Sequence, residues 1–145
     1  MVSIYFCGSI RGGRQLALTY ASIIKMIQEH GKVLTEHLGD DEQIKSKDRI
    51  LPDREIHDRD MDWIRESDLL IAEVTVPSLG VGYELGRAIE MGKPVLCLFN
   101  TGSPQPLSAM IAGSESVEMC YYEDLEELKE TFEQFISQHA PRRIS

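Results

Sequence analysis

The chain has 145 residues, and 42% hydrophobic with 27% charged residues is the balance of one globular domain, 1–145, that is large enough to bury a core. The formal net charge of −9 at pH 7 argues against polymeric DNA or RNA as a partner, because such binding requires a basic surface. No apolar run reaches the roughly 18 residues that a membrane-spanning helix needs, so no membrane partner is predicted.

The first half of the chain alternates strand and helix patterns. A β-branched and aromatic run predicts a strand at 3–7, and an apolar stripe of helical period predicts a helix at 14–30. A short strand follows at 32–38, and then a polar loop at 39–52 that is long enough to act as a mobile flap. The next helix is predicted at 53–67, with the aspartate at its first position as the N-cap.

The second half continues the alternation. A continuous apolar run at 69–75 is typical of a parallel strand that is covered on both faces. The elements that follow are a helix at 81–91, a strand at 94–99, a helical turn at 107–112, a strand at 117–122 and an acidic helix at 123–138. This alternation predicts an α/β fold, a doubly wound five-stranded parallel sheet of flavodoxin-like or Rossmann-like order 2-1-3-4-5 in three α/β/α layers. We expect a ligand crevice at the carboxyl ends of strands one and three.

The cysteines and histidines predict neither disulfides nor a metal. Cys7, Cys97 and Cys120 lie in apolar runs without CxxC spacing, which indicates reduced core residues. The four histidines have no metal-ligand spacing with them, so no cofactor is predicted, and His57 is assigned to the solvated face of its helix. The N-terminus lacks a basic-then-apolar signal, and we expect a cytoplasmic protein, or also a nuclear one if the source is a eukaryote.

A glycine-rich loop, GSIRGG at 8–13, lies between the first strand and its helix. Its glycines let a ligand approach the backbone, and the helix N-terminus attracts anions. Ser9 adds a hydroxyl and Arg11 a guanidinium that suits phosphate, in a segment, 1–35, with a net charge of +3. The pattern is neither GxGxxG nor a P-loop, so no dinucleotide or triphosphate is implied. A plain turn with exposed arginines is the alternative, but the position favours a phosphate site.

Two carboxylates are candidate catalytic groups. Asp60 lies on the inward stripe of its helix, where a carboxylate is either paired, functional or at the edge of the stripe. Glu84 follows a turn that contains Ser78 and Gly80, and it is predicted in the first turn of a helix. The helix N-terminus would then keep its pKa low, which suits a nucleophile, although a plain helix-start glutamate is the alternative.

Three further features bear on the same crevice. Gly82 and Gly86 flank the glutamate, which indicates that something approaches the helix closely. Tyr5 lies in strand one beside the ligand end of the sheet, where most tyrosines are core residues with a satisfied hydroxyl. His37 ends the second predicted strand near the crevice.

Six runs in the chain resemble a known family. They are YFCGSIRGGR (5–14), VLTEH (33–37), IHDRDMDW (56–63), AEVTVPSLGVGYELGRA (72–88), CLF (97–99) and LSAMI (107–111). In this order they closely resemble the 2′-deoxynucleoside 5′-phosphate N-hydrolases of the nucleoside 2-deoxyribosyltransferase superfamily. The loop at 39–52 departs from the Ala- and Gly-rich stretch of the mammalian members, which leaves the preferred base open.

The resemblance implies hydrolysis of the N-glycosidic bond of a deoxynucleoside monophosphate, giving free base and 2-deoxyribose 5-phosphate. Glu84 matches the nucleophile that forms a covalent glycosyl-enzyme, Asp60 the acid that protonates or orients the base, and Tyr5 the tyrosine that positions the nucleophile. An oxocarbenium-like transition state is served by such a pair of carboxylates.

The resemblance also implies a substrate-binding set and a second subunit. His37 would lie near the nucleobase, and Ser108 would be delivered into the neighbouring subunit's site, which implies a homodimer. The residues that match the phosphate cradle lie on two loops: Gly8, Ser9, Ile10, Arg11, Gly12, Ser78 and Gly80.

Three other functions remain alternatives. A nucleoside 2-deoxyribosyltransferase would pass the sugar to a second base, and a CMP-type hydrolase of the same fold would act on ribonucleotides. A nucleotide-sensing module would bind monophosphate without releasing base. Ser9, Arg11 and Ser108 favour a phosphorylated substrate over the substrate of the transferase.

Overall fold

The computed structural model describes residues 1–10, 13–39 and 51–141, except for the side chains of Arg14 and Gln15. Its strands are β1 (Val2–Gly8), β2 (Gly31–Val33), β3 (Leu69–Glu73), β4 (Val95–Asn100) and β5 (Val117–Tyr122). All four strand pairings are parallel, and the order is β2-β1-β3-β4-β5. The predicted sheet and its order are therefore confirmed.

Helices connect the strands. They are α1 (Gly13–Gln28), α2 (Asp53–Glu66), α3 (Leu79–Glu90), the short α4 (Ala109–Ala112) and α5 (Leu128–His139), with 3-10 helices at Glu36–Gly39 and Leu125–Glu127. In the described part of the chain, none of these helices combines the length and the apolar character that a bilayer crossing requires.

Alternate residues of β1 enter two separate cores, as the two-residue period of a strand requires. Ile4 and Phe6 pack against α1 and α5 on one face of the sheet. Tyr5 and Cys7 pack against α2 and α3 on the other face. This arrangement gives three layers. All three cysteines are free, and Cys7 and Cys97 are buried as predicted, whereas Cys120 is half-buried.

The second strand is shorter than the predicted 32–38, because it ends at Val33 and the chain turns into the 3-10 helix. The Thr35 side chain takes the place of further strand pairing: its Oγ1 accepts a hydrogen bond from the Phe6 backbone N–H at 3.0 Å and donates one to the Phe6 carbonyl. A side chain thus satisfies the backbone of β1 where the ladder ends. His37 consequently lies in the 3-10 helix and not at the end of a strand.

Helix boundaries also differ from prediction. Pro52 is the N-cap of α2, and Asp53 is its first residue without a capping hydrogen bond, so the predicted Asp53 cap is wrong. Helix α3 begins two residues earlier than predicted because Ser78 caps it, its Oγ accepting from the Val81 N–H at 3.2 Å. The terminal helix begins at Leu128, after a 3-10 turn that occupies part of the predicted range.

Candidate active site

A pocket of about 260 Å³ lies at the carboxyl ends of β1 and β3, where the strand order reverses. It contains most of the residues that the sequence singles out. The lining residues are Tyr5, Cys7, Gly8, Ile10, Thr35, His37, Leu38, Ile56, His57, Asp60, Met61, Ser78, Gly80, Val81, Tyr83 and Glu84. The three predicted catalytic residues therefore share one cavity, although they are far apart in the sequence.

The centre of the pocket is a hydrogen bond between Tyr5 and Glu84. The Tyr5 hydroxyl donates to Oε2 of Glu84 at 2.7 Å. Tyr5 is 2% exposed and fixed in a central strand, so it holds the carboxylate in one orientation. Glu84 comes from the second turn of α3, because that helix begins at Leu79.

The electrostatics of Glu84 contradict the predicted low pKa. Burial raises its pKa to about 7, and the negative charge of Asp60 adds to the increase. The hydrogen bonds from Tyr5 and Cys7 act in the opposite direction by stabilising the carboxylate. The N-terminal turn that would have lowered the pKa does not contain Glu84, so burial dominates.

Asp60 faces the same pocket from the middle of α2. Its Oδ1 lies 3.0 Å from Nη2 of Arg59 and accepts a hydrogen bond from Nε of that arginine at 3.1 Å. The Arg59 guanidinium lies 4.8 Å from the centre of the Trp63 ring, and that centre lies 5.7 Å from the centre of the His37 ring. This stack fixes the side chain of Asp60 at the pocket wall, so the inward carboxylate is a paired one that also lines the cavity.

One end of the pocket is formed by the two predicted loops. Gly8 and Ile10 come from the loop after β1, and Ser78 and Gly80 come from the start of α3. A Cβ on Gly80 would lie 3.9 Å from Oε1 of Glu84, so this backbone borders the carboxylate directly. Helix α3 begins at this end of the pocket, because its N-cap Ser78 lines the cavity.

Three residues of the predicted phosphate cradle are absent from the pocket lining or lie outside the described residues. Ser9 is buried and is absent from the pocket lining, and its carbonyl accepts a hydrogen bond from the Tyr20 hydroxyl at 3.0 Å. Arg11 and Gly12 lie outside the described residues, as does most of the loop predicted at 39–52.

The structure adds residues that sequence reasoning missed. His57 is exposed, as its assignment to a solvated face predicted, but it also lines the pocket, where its Nε2 lies 2.7 Å from the Tyr83 hydroxyl. That hydroxyl also accepts from Nη1 of Arg87 at 2.6 Å. The contact links α2 to α3 beside both carboxylates. His57 and Tyr83 are 26 residues apart, so no local sequence pattern could have predicted their contact. Cys7 could have been predicted as a pocket residue, because it lies two residues after Tyr5 and therefore on the same face of β1.

A larger, apolar groove of about 480 Å³ lies between α3 and α4, and it contains neither carboxylate. We call it the α3–α4 groove. Ser108 lines this groove and not the pocket, and its Oγ accepts from the Met110 N–H at 3.3 Å. Leu79 and Met110 on its rim are 96% and 86% exposed. Gly82 and Gly86 also line it, and nothing in the described chain would lie within 4 Å of a Cβ on either.

Among residues 1–10, 13–39 and 51–141, no three His, Cys, Asp or Glu side chains gather in a way that could hold a metal ion. The pocket brings together two carboxylates and a phenol.

Residues 4–136 match the family model described as nucleoside 2-deoxyribosyltransferase. The chain belongs to this family. It is similar to a 5-hydroxymethyl-dUMP N-hydrolase of Mus musculus, with 53% identity over 113 residues that cover 77% of this chain and 65% of the mouse protein. A protein of the same name from Danio rerio is 50% identical over 126 residues, covering 87% of this chain and 88% of the fish protein.

A solved structure shares the fold of this family member. The CMP N-glycosidase BcmB of Clostridium botulinum aligns with a TM-score of 0.64 and 20% identity, covering 91% of this chain and 98% of that protein. At this identity the likeness concerns the fold, and it agrees with the three-layer arrangement around a parallel sheet.

Proposed function

We propose that this member of the nucleoside 2-deoxyribosyltransferase family hydrolyses the N-glycosidic bond of 2′-deoxynucleoside 5′-monophosphates. The products are free nucleobase and 2-deoxyribose 5-phosphate. The observation that carries the proposal is the partly buried Tyr5–Glu84 hydrogen bond in a pocket that Asp60 also lines. The names of the relatives from mouse and zebrafish support the same reaction class.

The reaction proceeds in two displacements. The ionised Glu84 attacks the anomeric carbon of the sugar, the bond to the base breaks, and its electron pair leaves with the base. Asp60 protonates or orients the departing base, and Tyr5 holds the attacking oxygen in line. Water then attacks the same carbon and releases Glu84, and the proton of that water passes to solvent or to a carboxylate.

The phosphate and the base of the substrate occupy opposite ends of the pocket. We assign the phosphate to the end formed by Gly8, Ile10, Ser78 and Gly80, because the N-terminus of α3 at this end favours an anion. We extend the cradle to Ser9, Arg11 and Gly12 on the strength of the family resemblance. The base then lies toward His37 and Asp60. Absence of a 2′-hydroxyl makes the sugar cation easier to form, which fits a deoxy substrate.

One chromatographic assay tests the proposal against its alternatives. The chain is incubated with the four deoxynucleoside monophosphates, 5-hydroxymethyl-dUMP and CMP, each with and without a second base as acceptor. Base release from deoxynucleotides without acceptor supports the proposal. Turnover that requires the acceptor indicates a transferase, and turnover of CMP alone indicates a ribonucleotide hydrolase. Tight monophosphate binding without any base release indicates a nucleotide-sensing module.

Replacing Tyr5 with phenylalanine should lower activity most at neutral and acidic pH. The hydrogen bond from Tyr5 lowers the pKa of Glu84, so its loss moves that pKa above about 7 and protonates more of the nucleophile. We expect kcat/KM at pH 7 to fall by about 10- to 100-fold, the worth of a hydrogen bond to a charged group. A pH profile of kcat/KM checks this: the acid limb should lie near pH 7 in the wild type and higher in the variant. An unmoved limb would contradict the assignment.

We further propose a homodimer that covers the α3–α4 groove. The exposed side chains of Leu79 and Met110, with the uncrowded backbone at Gly82 and Gly86, give an apolar surface that another copy can approach closely. Ser78 lines both this groove and the pocket, so a copy seated on the groove would adjoin the substrate. On this arrangement Ser108 serves the neighbouring subunit's site.

Replacing Met110 with glutamate should therefore dissociate the dimer and reduce kcat/KM by about 10-fold or more, because a charge would be buried in an apolar interface. Light scattering coupled to size exclusion measures the mass. Leu18→Glu is the matched control, since Leu18 is 59% exposed on α1, away from the groove, and this variant should remain an active dimer. A monomeric wild type, or a Met110→Glu variant that stays dimeric and active, would refute the interface.

A further inference from the structure

A second buried acid, Glu73, takes no part in the proposed reaction. It is the last residue of β3, and it is 2% exposed. It projects from the sheet toward Tyr20 and Tyr122, which belong to the core formed with α1 and α5, on the face opposite Glu84. Because burial of a carboxylate is costly, its retention here requires specific partners.

Two hydrogen bonds supply those partners. The backbone N–H of Thr75 donates to Oε1 of Glu73 at 2.6 Å, and the Tyr122 hydroxyl donates to Oε2. Thr75 is in turn fixed to the next strand, because its Oγ1 accepts from the Asn100 N–H at 2.8 Å. Glu73 therefore ties the first residues after β3 to β4 and β5.

The segment that Glu73 restrains leads directly into the pocket. Residues 74–78 connect β3 to α3, and they end at Ser78, which caps that helix and lines the pocket. Ser78 lies three positions after Thr75, and Glu84 lies six positions after Ser78, in the helix that Ser78 caps. A shift of this segment would move one wall of the phosphate end together with the start of the helix.

The other phosphate loop rests on the same group of side chains. The Tyr20 hydroxyl donates to the Ser9 carbonyl, and a Cβ on Gly8 would lie only 2.5 Å from the Tyr20 ring. The Tyr122 hydroxyl donates to Glu73, and Tyr20 lies in the same core cluster as Tyr122. Burial and then the charge of Glu73 raise the pKa of both Tyr20 and Tyr122. Glu73, Tyr20 and Tyr122 thus form a layer beneath both loops, and we call it the acid–tyrosine layer.

We propose that Glu73 is a positioning residue for phosphate binding, and that through Thr75 and Tyr122 it fixes the β3–α3 segment that carries Ser78 into the pocket. The inference rests on the proposed function, because it presumes that a substrate phosphate lies at that end. Glu73 acts as a hydrogen-bond acceptor and does not touch the substrate. Its negative charge is dispensable on this account, since the amide oxygen of a glutamine can accept from the Thr75 N–H and its amide nitrogen can donate to the Tyr122 hydroxyl.

The decisive comparison is between Glu73→Leu and Glu73→Gln. Leucine removes the acceptors, and we expect the KM for a deoxynucleoside monophosphate to rise by about 10-fold, the worth of one or two lost hydrogen bonds. kcat should change by less than about three-fold, because the Tyr5–Glu84 bond is intact. Glutamine should restore KM to within about three-fold of the wild type. Tyr122→Phe, which keeps the acid but loses one donor, should raise KM in the same direction.

Direct binding separates this proposal from the proposed function. Calorimetric titration with inorganic phosphate and with 2-deoxyribose 5-phosphate should show weakening in Glu73→Leu that parallels its KM, and recovery in Glu73→Gln. Ser67→Ala is the matched control, because Ser67 is equally buried and its Oγ donates to the Ile64 carbonyl at the far end of α2. That variant should lose stability without loss of phosphate affinity.

Each outcome decides one of the two proposals. If the wild type releases base but a folded Glu73→Leu variant keeps its KM and phosphate affinity, the positioning role is overturned. The same holds if Ser67→Ala weakens phosphate as much as Glu73→Leu does at equal loss of melting temperature. If the wild type releases no base while Glu73→Leu still weakens phosphate binding, the positioning role stands and the proposed function fails.

Discussion

Replacing Glu84 with alanine should abolish base release from deoxynucleoside monophosphates, with kcat reduced by roughly 10⁴-fold or more. The magnitude follows from loss of the covalent route, which residual substrate binding and the remaining groups replace only in part. Glutamine should have the same effect, because it fills the same space and accepts from Tyr5 but cannot attack the sugar. Chromatography of the released base over long incubations measures the residual rate. Base release that continues unchanged in either variant would remove Glu84 from the mechanism.

The Glu84→Gln variant also tests the pKa of the carboxyl through stability. The pKa is about 7 in the folded protein against its ordinary 4.5, so the folded state binds the extra proton between these values. The free energy of unfolding of the wild type therefore decreases as pH rises from about 4.5 through 7. Glutamine removes this loss, and at pH 8 the variant should be more stable than the wild type by about 3 kcal/mol at most. Urea unfolding at pH 5 and pH 8 checks both the sign and the fold of the inactive variant.

Replacing Asp60 with asparagine should reduce kcat by about 10²- to 10⁴-fold, the usual contribution of a positioned acid or base. If Asp60 assists the departing base, the loss depends on the base. It should be smallest for bases that leave readily as anions and largest for those that require protonation. Comparison of kcat across the four deoxynucleoside monophosphates measures this dependence.

The Asp60→Asn variant should also change the pKa of Glu84. The negative charge of Asp60 raises the pKa of Glu84, so its removal should shift the acid limb of kcat/KM to lower pH. This shift is opposite in sign to that expected for Tyr5→Phe. Asp62→Asn on the exposed face of α2 is a matched control that should alter neither rate nor profile, since Asp62 pairs there with Arg65. An Asp60→Asn variant with equal losses for every base and an unmoved limb would exclude the assigned role.

The fold was accessible from the sequence because its signals are local. The period of two in β1 and the helical periods of α1 and α5 indicate which face of each element is buried. These patterns can be recognised without knowing which other elements pack against that face. The ends of elements were less accessible. Strand β2 ends early because the Thr35 side chain bonds the Phe6 backbone, and that contact joins residues 29 apart.

The residues of the candidate site could be predicted from sequence motifs, but the pKa of Glu84 could not. Tyr5, Asp60 and Glu84 were selected from patterns and resemblance, and they share one pocket. The ionisation of Glu84 was predicted in the wrong direction, because burial against Tyr5 and Asp60 depends on three separate elements. His57 was missed for the same reason: its contact with Tyr83 exists only once α2 packs beside α3.

The sequence by itself predicted the α/β class, the strand order that the structure confirms, and most of the residues that line the pocket. Only the tertiary structure decided how those residues behave. It places Glu84 in the second turn of its helix beside Tyr5, pairs Asp60 with Arg59, and bonds Glu73 to the Thr75 backbone and the Tyr122 hydroxyl. The physical reason is that patterns of hydrophobicity are encoded residue by residue, whereas desolvation and charge coupling arise from neighbours that the chain brings together only on folding.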